Sequence, residues 1–150
     1  MADIRSEIQF SVFLINKPGV LAQVSRALAA DKVNMLAMTL VDSQEHGVLR
    51  LVADDAARAR AVLGKLGLPM TETEVLCLEL SNRPGALADV ATRLGENHVN
   101  INYAYCTSGA PGGRTTGIFK VADPKKAQHV LKESASKHKE RNVRRPADRR

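Results

Sequence analysis

Residues 16–24 read NKPGVLAQV, and residues 82–90 read NRPGALADV. The second stretch therefore begins 66 residues after the first, and the same spacing relates VNM at 33–35 to VNI at 99–101. VAD at 52–54 recurs at 121–123 with a spacing of 69. Small drifts of this kind are expected where loops gain or lose residues between two copies of one unit. The chain is thus predicted to contain one structural unit twice.

The residues on either side of the Pro-Gly turn predict a strand followed by a helix. Before the turn, apolar residues occupy every second position, which is typical of a strand. After it, they recur at spacings of three and four, which places them on one helical face. The apolar positions of the first copy are Ile8, Phe10, Val12 and Leu14, then Leu21, Val24 and Leu28. Two further strands and a second helix follow in each copy.

The second helix of each copy is predicted to begin at an aspartate. Asp54 is the expected N-cap in the first copy, because its carboxylate can accept from the exposed backbone N–H groups. In the second copy, Pro124 follows Asp123 and suits the first helical position.

A fourth strand is evident in one copy and missing in the other. Residues 70–74 can supply it in the first copy and run directly into Val75, so that one long strand could serve both units and join two sheets into one. In the second copy, the residues after Leu131 are rich in Lys and Arg, and Val143 is the one apolar candidate. Either that unit is truncated or its edge is covered by another chain.

These patterns predict an α+β protein with two βαββαβ units in tandem, each an antiparallel sheet with its helices on one face. The predicted domains are residues 1–74 and 75–134. The net charge of +6 is concentrated at the C-terminus, where residues 132–150 carry eight basic and three acidic side chains. Residues 135–150 are therefore predicted to form a basic, disordered tail.

Composition argues against several functional classes. No stretch approaches 18 consecutive apolar residues, so no membrane partner is expected, and the N-terminus lacks a signal-peptide core. Cys77 and Cys106 have no metal-like spacing, and no nucleophile, base and oxyanion donors group along the chain. A cytoplasmic protein that is not an enzyme is expected, with no cofactor and no metal.

The repeated pattern resembles the ACT domain, a small regulatory module with a ferredoxin-like fold. The likeness rests on a strand, Asn-x-Pro-Gly-x-Leu, a helix, and Val-Asn-Ile/Met opening the next strand, and it covers residues 7–131 in two copies. Many members carry an acidic residue before x-Pro-Gly, where this chain has Asn16 and Asn82. The resemblance implies an amino-acid ligand, allosteric regulation of a metabolic enzyme, and a homodimer.

The turns are the predicted ligand sites. A helix N-terminus presents unpaired N–H groups and partial positive charge to a carboxylate, and glycine lets a ligand approach the backbone. The resemblance further implies that each turn meets the early second strand of a neighbouring unit. The predicted site residues are Asn16, Lys17, Pro18, Gly19, Val20, Leu21, Met35 and Leu36, and Asn82, Arg83, Pro84, Gly85, Ala86, Leu87, Ile101 and Tyr103.

Three alternatives stay open at this point. Each turn could be structural only, with Pro-Gly ending a strand and Asn capping the helix. The protein could be a ligand-free interaction module that dimerises through sheet edges or helices and docks on an enzyme. The least favoured alternative is nucleic-acid binding through the basic tail, with bases stacked on Tyr103, Tyr105 and Phe119.

Overall fold

The computed structural model of the chain describes residues 3–15, 17–42, 46–107 and 113–143. In each half of the chain, the elements follow the predicted order of strand, helix, strand, strand, helix. The first half contains β1 (Ile4–Ile15), α1 (Val20–Ala30), β2 (Met35–Asp42), β3 (His46–Ala53) and α2 (Ala56–Lys65). The second half contains β4 (Met70–Ser81), α3 (Ala86–Glu96), β5 (Ile101–Cys106), β6 (Arg114–Val121) and α4 (Pro124–Val143). The predicted α+β class with antiparallel strands is confirmed.

The described residues form two compact units. The first unit comprises the described residues of Glu7–Val75 together with Tyr105–Thr107, and the second comprises the remaining described residues. In the first unit, the strands lie in the order β2-β3-β1. Alternate residues of β1 and β3 share one core with both helices, so α1 and α2 cover the same face of this sheet. Its fully buried members include Phe10, Val12, Val24, Leu49, Leu51 and Leu63.

The second unit repeats this arrangement around its own core. Its strands lie in the order β4-β6-β5, and β4 pairs antiparallel with β6, with Leu78 opposite Gly117. Alternate strand residues again pack against both helices. The fully buried members of this core include Leu76, Leu78, Leu94, Phe119, Ala127 and Leu131.

The N-terminal residues supply the strand that the second copy lacks in sequence. The backbone N–H of Glu79 donates to the carbonyl oxygen of Asp3 at 3.1 Å, and Ile4 packs against the second core. In the first unit, the N–H of Phe13 donates to the carbonyl of Pro69 at 2.9 Å, and Met70 packs against the first core. Neither truncation nor a second chain is needed to explain the missing strand. Residues 3–6 thus group with the second unit, although the prediction assigned them to the first domain.

The predicted N-cap of α2 is wrong by one residue. Asp55 is the N-cap, and its Oδ1 accepts from the N–H of Arg58 at 3.0 Å. Asp54 instead accepts from the N–H of Asn34 at 3.0 Å. In the second copy the prediction is confirmed, since Asp123 accepts from the N–H of Lys126 at 3.1 Å. The first copy has one more Asp before the helix, and the extra residue moves the cap.

Helix α4 continues to Val143, so residue 135, where the tail was expected to begin, lies within it. Residues 144–150 of that expected tail lie outside the described residues. In the part of the chain that the structure describes, no helix has both the length and the apolar composition needed to cross a membrane.

Candidate functional site

Both Pro-Gly turns place a glycine at the N-cap of the following helix. Gly19 and Gly85 share a φ of 88°, in the left-handed region where a Cβ is unfavourable. Since glycine has no side chain, neither helix receives a side-chain cap. The start of each helix carries the partial positive charge of the helix dipole without a side-chain acceptor, and at α3 the N–H of Ala86 donates to the carbonyl of Arg83 at 3.4 Å. At α3 the cap is Gly85, and Asn82 does not take that position.

A cavity of about 260 Å³ lies beside the first turn, within the first unit. It is bounded on one side by the start of α1 and on the other by the hairpin end of β2 and β3. Most of its walls are aliphatic, and two charged residues, Lys17 and Asp42, belong to its lining. The full lining is Leu14, Ile15, Lys17, Val20, Leu21, Leu40, Val41, Asp42 and Gly47.

Three of the predicted site residues of the first copy, Lys17, Val20 and Leu21, line this cavity. Pro18 and Gly19 form the turn that begins α1, and Asn16 lies outside the described residues. Leu21 is partly buried against the first core as well. The structure therefore brings some of the predicted site residues of the first copy together around one cavity.

Met35 and Leu36 do not line the cavity, because they lie at the other end of β2. Met35 pairs with Ala53 and packs against the first core, whereas Asp42 pairs with Gly47 beside the cavity. Seven residues of strand separate Met35 from Asp42, roughly 24 Å at about 3.4 Å per residue. Within the first unit, the strand wall of the cavity is thus the end of β2. A contact between a turn and the early strand of a neighbouring unit stays a prediction.

The second turn differs from the first in its charged side chain. Arg83 donates through Nη2 to Asp89 Oδ2 at 2.9 Å and through Nη1 to the carbonyl of Pro84 at 3.1 Å. Its Nη1 lies 3.5 Å from the position that a Cβ on Gly85 would take. In the first turn, no described atom beyond Gly19 and its two chain neighbours lies within 4 Å of the equivalent position.

The other predicted residues of the second copy lie in different environments. Ala86 is buried in the second core, Ile101 packs against that core, and Leu87 is 51% exposed. The N–H of Asn82 donates to the carbonyl of Gly113 at 2.8 Å. Tyr103 is half-buried on β5.

The strand residues that line the cavity were not predicted as site residues: Leu14, Ile15, Leu40, Val41, Asp42 and Gly47. Only the antiparallel pairing of β2 with β3, and of Ile15 with His46 between β1 and β3, brings these residues to the turn. A usable signal was the apolar run that continues to the charged end of β2, where Leu40 and Val41 precede Asp42.

Other chemistry receives little support from the described residues. Partial burial raises the pKa of the Cys106 thiol, which disfavours the reactive thiolate at neutral pH. Among the side chains that the structure describes, no three His, Cys, Asp or Glu residues cluster as a metal site would require. Phe119 is fully buried in the second core and cannot stack on a base.

Two ferredoxin-like units in tandem, each with a Pro-Gly turn at the start of its first helix, are the arrangement found in a class of small regulatory proteins. The family model described as an ACT domain pair matches residues 6–144. The chain therefore belongs to the ACT domain pair family, and the resemblance inferred from the repeat is confirmed.

Solved structures of similar proteins include one from Bacteroides thetaiotaomicron, BT0572, at 29% identity and a TM-score of 0.81, covering 88% of this chain and 90% of that one. The ligand-free regulatory subunit of aspartate kinase from Thermus thermophilus is 15% identical, with a TM-score of 0.64 and coverage of 86% and 92%. Aspartokinase III of E. coli, in complex with lysine and aspartate, is 16% identical, with a TM-score of 0.56 and coverage of 89% and 32%. No curated protein matches the chain. The last two likenesses are evidence of a shared fold, and family membership supports a ligand-binding regulatory role.

Proposed function

We propose that this chain is a non-catalytic regulatory protein that binds an amino acid at the first turn and regulates a metabolic enzyme according to whether that ligand is bound. The observation that carries the proposal is the cavity of about 260 Å³ beside the uncapped start of α1, with Lys17 and Asp42 in its lining. Family membership supports the regulatory part of the proposal.

The charges of the cavity suit a zwitterion. A ligand carboxylate is stabilised by the Lys17 ammonium and by the N–H groups of the first turn of α1. A ligand ammonium is attracted by the carboxylate of Asp42. This arrangement gives the ligand an acidic partner even though the residue before x-Pro-Gly in this copy is Asn16.

The remaining walls indicate the kind of side chain that fits. Leu14, Val20, Leu21, Leu40 and Val41 present aliphatic surface to the cavity. Its volume is below the roughly 300–1,000 Å³ typical of pockets for drug-sized ligands. The ligand favoured by this lining is therefore a free amino acid with an aliphatic side chain, such as leucine, isoleucine or valine.

The available contacts give an affinity in the range of a metabolite sensor. A charge-assisted hydrogen bond contributes about 1.5–3 kcal/mol. Two or three of them supply the roughly 4–8 kcal/mol that corresponds to a dissociation constant between millimolar and micromolar. A homodimer and a partner enzyme, both in the cytoplasm, complete the proposal.

A thermal unfolding assay of the full chain against the twenty amino acids tests this function. A ligand present at about 100 times its dissociation constant adds roughly 2.7 kcal/mol of stability. We expect the aliphatic amino acids to raise the melting temperature, and Lys17→Gln to remove that increase. Lys65→Gln, the same change at an exposed position of α2, is the matched control. The absence of a shift with any amino acid at millimolar concentration contradicts the proposal.

A second candidate function is a ligand-free interaction module. Its support is a group of apolar side chains on the strands of the first unit that are about 40–60% exposed. They are Phe13, Ile15, Met38, Leu40 and Val41. If the module dimerises through them, Val41→Lys lowers the mass measured by light scattering. Pull-down of the partner enzyme with and without mixed amino acids separates this candidate from the first.

A further inference from the structure

We propose that each chain binds one amino acid, at the first turn only, because Arg83 is engaged at the second turn and the described residues there include no equivalent of the apolar wall of the first. This inference rests on the proposed function and concerns the number and place of its ligand sites. It is unexpected from the sequence, where the two turns look equivalent.

The space above the two glycines is the first difference. Apart from Gly19 and its chain neighbours Pro18 and Val20, no described atom lies within 4 Å of the Cβ position of Gly19, so a ligand can reach the start of α1. Around that of Gly85, the guanidinium of Arg83 is 3.5 Å away. Its bonds to the carbonyl of Pro84 and to Asp89 hold it over the start of α3. The cation that a ligand carboxylate would need is thus already engaged.

Two substitutions between the copies explain this difference. Arg83 replaces Lys17, and Asp89 replaces Gln23, at positions 66 residues apart. The planar guanidinium can bond a carboxylate and a carbonyl at once, which a lysine ammonium does less well. Gln23 carries no charge, so the first copy has no acid at the position from which Asp89 holds Arg83.

The strand wall is the second difference, and it arises independently of the charges. The 66-residue spacing aligns Leu40 and Val41 of the first copy with Cys106 and Thr107 of the second. Strand β5 ends at Cys106, whereas β2 continues to Asp42. Moreover, Tyr105–Thr107 groups with the first unit, where the hydroxyl of Tyr105 donates to Gln9 Oε1 at 2.8 Å. Among the residues that the structure describes, the second turn therefore has Cys106 and Thr107 in place of the aliphatic wall that Leu40 and Val41 supply.

The missing wall has the larger effect of the two. Arg83 and Asp89 are both more than half exposed, and an exposed ion pair of this kind weakens a competing ligand by at most about fivefold. Without apolar walls, the ligand side chain stays in water and gains nothing from burial. Opening the ion pair alone is thus insufficient to create a second site.

Nuclear magnetic resonance of the ¹⁵N-labelled full chain tests this inference, with L-leucine, L-isoleucine and L-valine as separate titrants. We expect the amide signals of Gly19, Val20 and Leu21 to shift, while those of Gly85, Ala86 and Leu87 stay in place. The second turn is in this way an internal control for the first. Isothermal titration of the same samples should give one ligand per chain.

Matched variants complete the experiment. Lys17→Gln should weaken binding at least about tenfold, and Arg83→Gln should leave the dissociation constant within about twofold. The spectrum of each variant reports whether it is folded. Two ligands per chain, shifts at Gly85, or loss of binding in Arg83→Gln overturn the single-site inference while leaving the proposed function standing. No binding of any of the three amino acids to the unmodified chain overturns the proposed function and this inference together.

Discussion

The backbone N–H of Glu79 donates to the carbonyl oxygen of Asp3 at 3.1 Å, and this bond ties the N-terminal segment to the second unit. The equivalent bond of the first unit joins Phe13, 66 positions before Glu79, to Pro69, 66 positions after Asp3. Each unit thus uses the start of a long strand, β1 or β4, to complete its own sheet.

Ile4 is therefore predicted to stabilise the second unit and Met70 the first. Each lies partly buried against the core of its unit, and the two are 66 residues apart. Replacing Ile4 by Ser removes apolar contact and should destabilise the second unit by about 1–2 kcal/mol. Hydrogen exchange followed by mass spectrometry should show faster exchange in α3 and α4. Met70→Ser is the matched control and should instead loosen α1 and α2, so faster exchange of α1 and α2 in Ile4→Ser contradicts the assignment.

Gly19→Ala is predicted to destabilise the protein by about 1–2 kcal/mol. A Cβ at this position has room, since no described atom outside the adjoining residues lies within 4 Å, but the φ of 88° is unfavourable for alanine. Gly64 lies near the end of α2, where the φ is ordinary and the space is open. Gly64→Ala should therefore stabilise the protein, by up to about 1 kcal/mol. Urea unfolding measures both, and equal effects of the two changes contradict the conformational explanation.

Lys32 and His98 are predicted to end their helices less favourably than glycine would. Each has a φ of 57°, directly after the first helix of its copy, and its N–H donates back to the helix. Glycine adopts this conformation without strain and is the preferred residue at such a stop. Lys32→Gly and His98→Gly should each raise the free energy of unfolding by about 0.5–1 kcal/mol. Lys65→Gly, inside the last turn of α2, should lower it, and a gain there would contradict this reasoning.

The ion pair of Arg60 and Glu72 is predicted to make stability depend on acid pH. The guanidinium donates through Nε to both carboxylate oxygens at 3.0 and 3.1 Å and lies 5.8 Å from the ring centroid of Phe10. The hydrogen bond from Arg60 lowers the pKa of Glu72 below its ordinary value of 4.5. Because the folded pKa is the lower one, the pair contributes fully above pH 4.5 and its contribution is lost as the pH falls through the lowered value.

Glu72→Gln should therefore reduce the loss of stability as the pH falls, which is the acid limb of a plot of stability against pH. Urea midpoints between about pH 2 and 6 measure it. The pair is partly exposed, so the effect should also shrink with added salt. Glu96→Gln, which leaves the pair intact, is the control. An unchanged acid limb in Glu72→Gln would show that the pair does not couple to folding.

Much of the fold follows from local patterns. Alternation in β1, the three-four spacing of Leu21, Val24 and Leu28, and the Pro-Gly breaks are properties of short segments. The repeated Val-Asn-Ile/Met was expected to open a strand, and β2 and β5 begin at its last residue, Met35 and Ile101. The cap of α2 was missed because two adjacent aspartates offer equivalent acceptors, and local sequence does not say which one the helix selects.

The candidate site was only partly predictable. Lys17, Val20 and Leu21 belong to the repeated turn and were expected. The wall formed by the end of β2, Leu40 to Asp42, was not predicted, and the predicted contact with the early strand of a neighbouring unit stays a prediction. Pairing register decides which end approaches the turn, and register depends on residues distant in sequence.

The sequence by itself determined the duplicated unit, the family, and the conformation of the two turns, because each depends on residues that are neighbours along the chain. The tertiary structure alone decided that residues 3–6 complete the second unit and that Leu40, Val41 and Asp42 face the first turn. The contact of Arg83 with Asp89 is local, since the two residues lie six positions apart. The two tertiary facts depend on which strands pair and in which register, and therefore on residues that are distant along the chain.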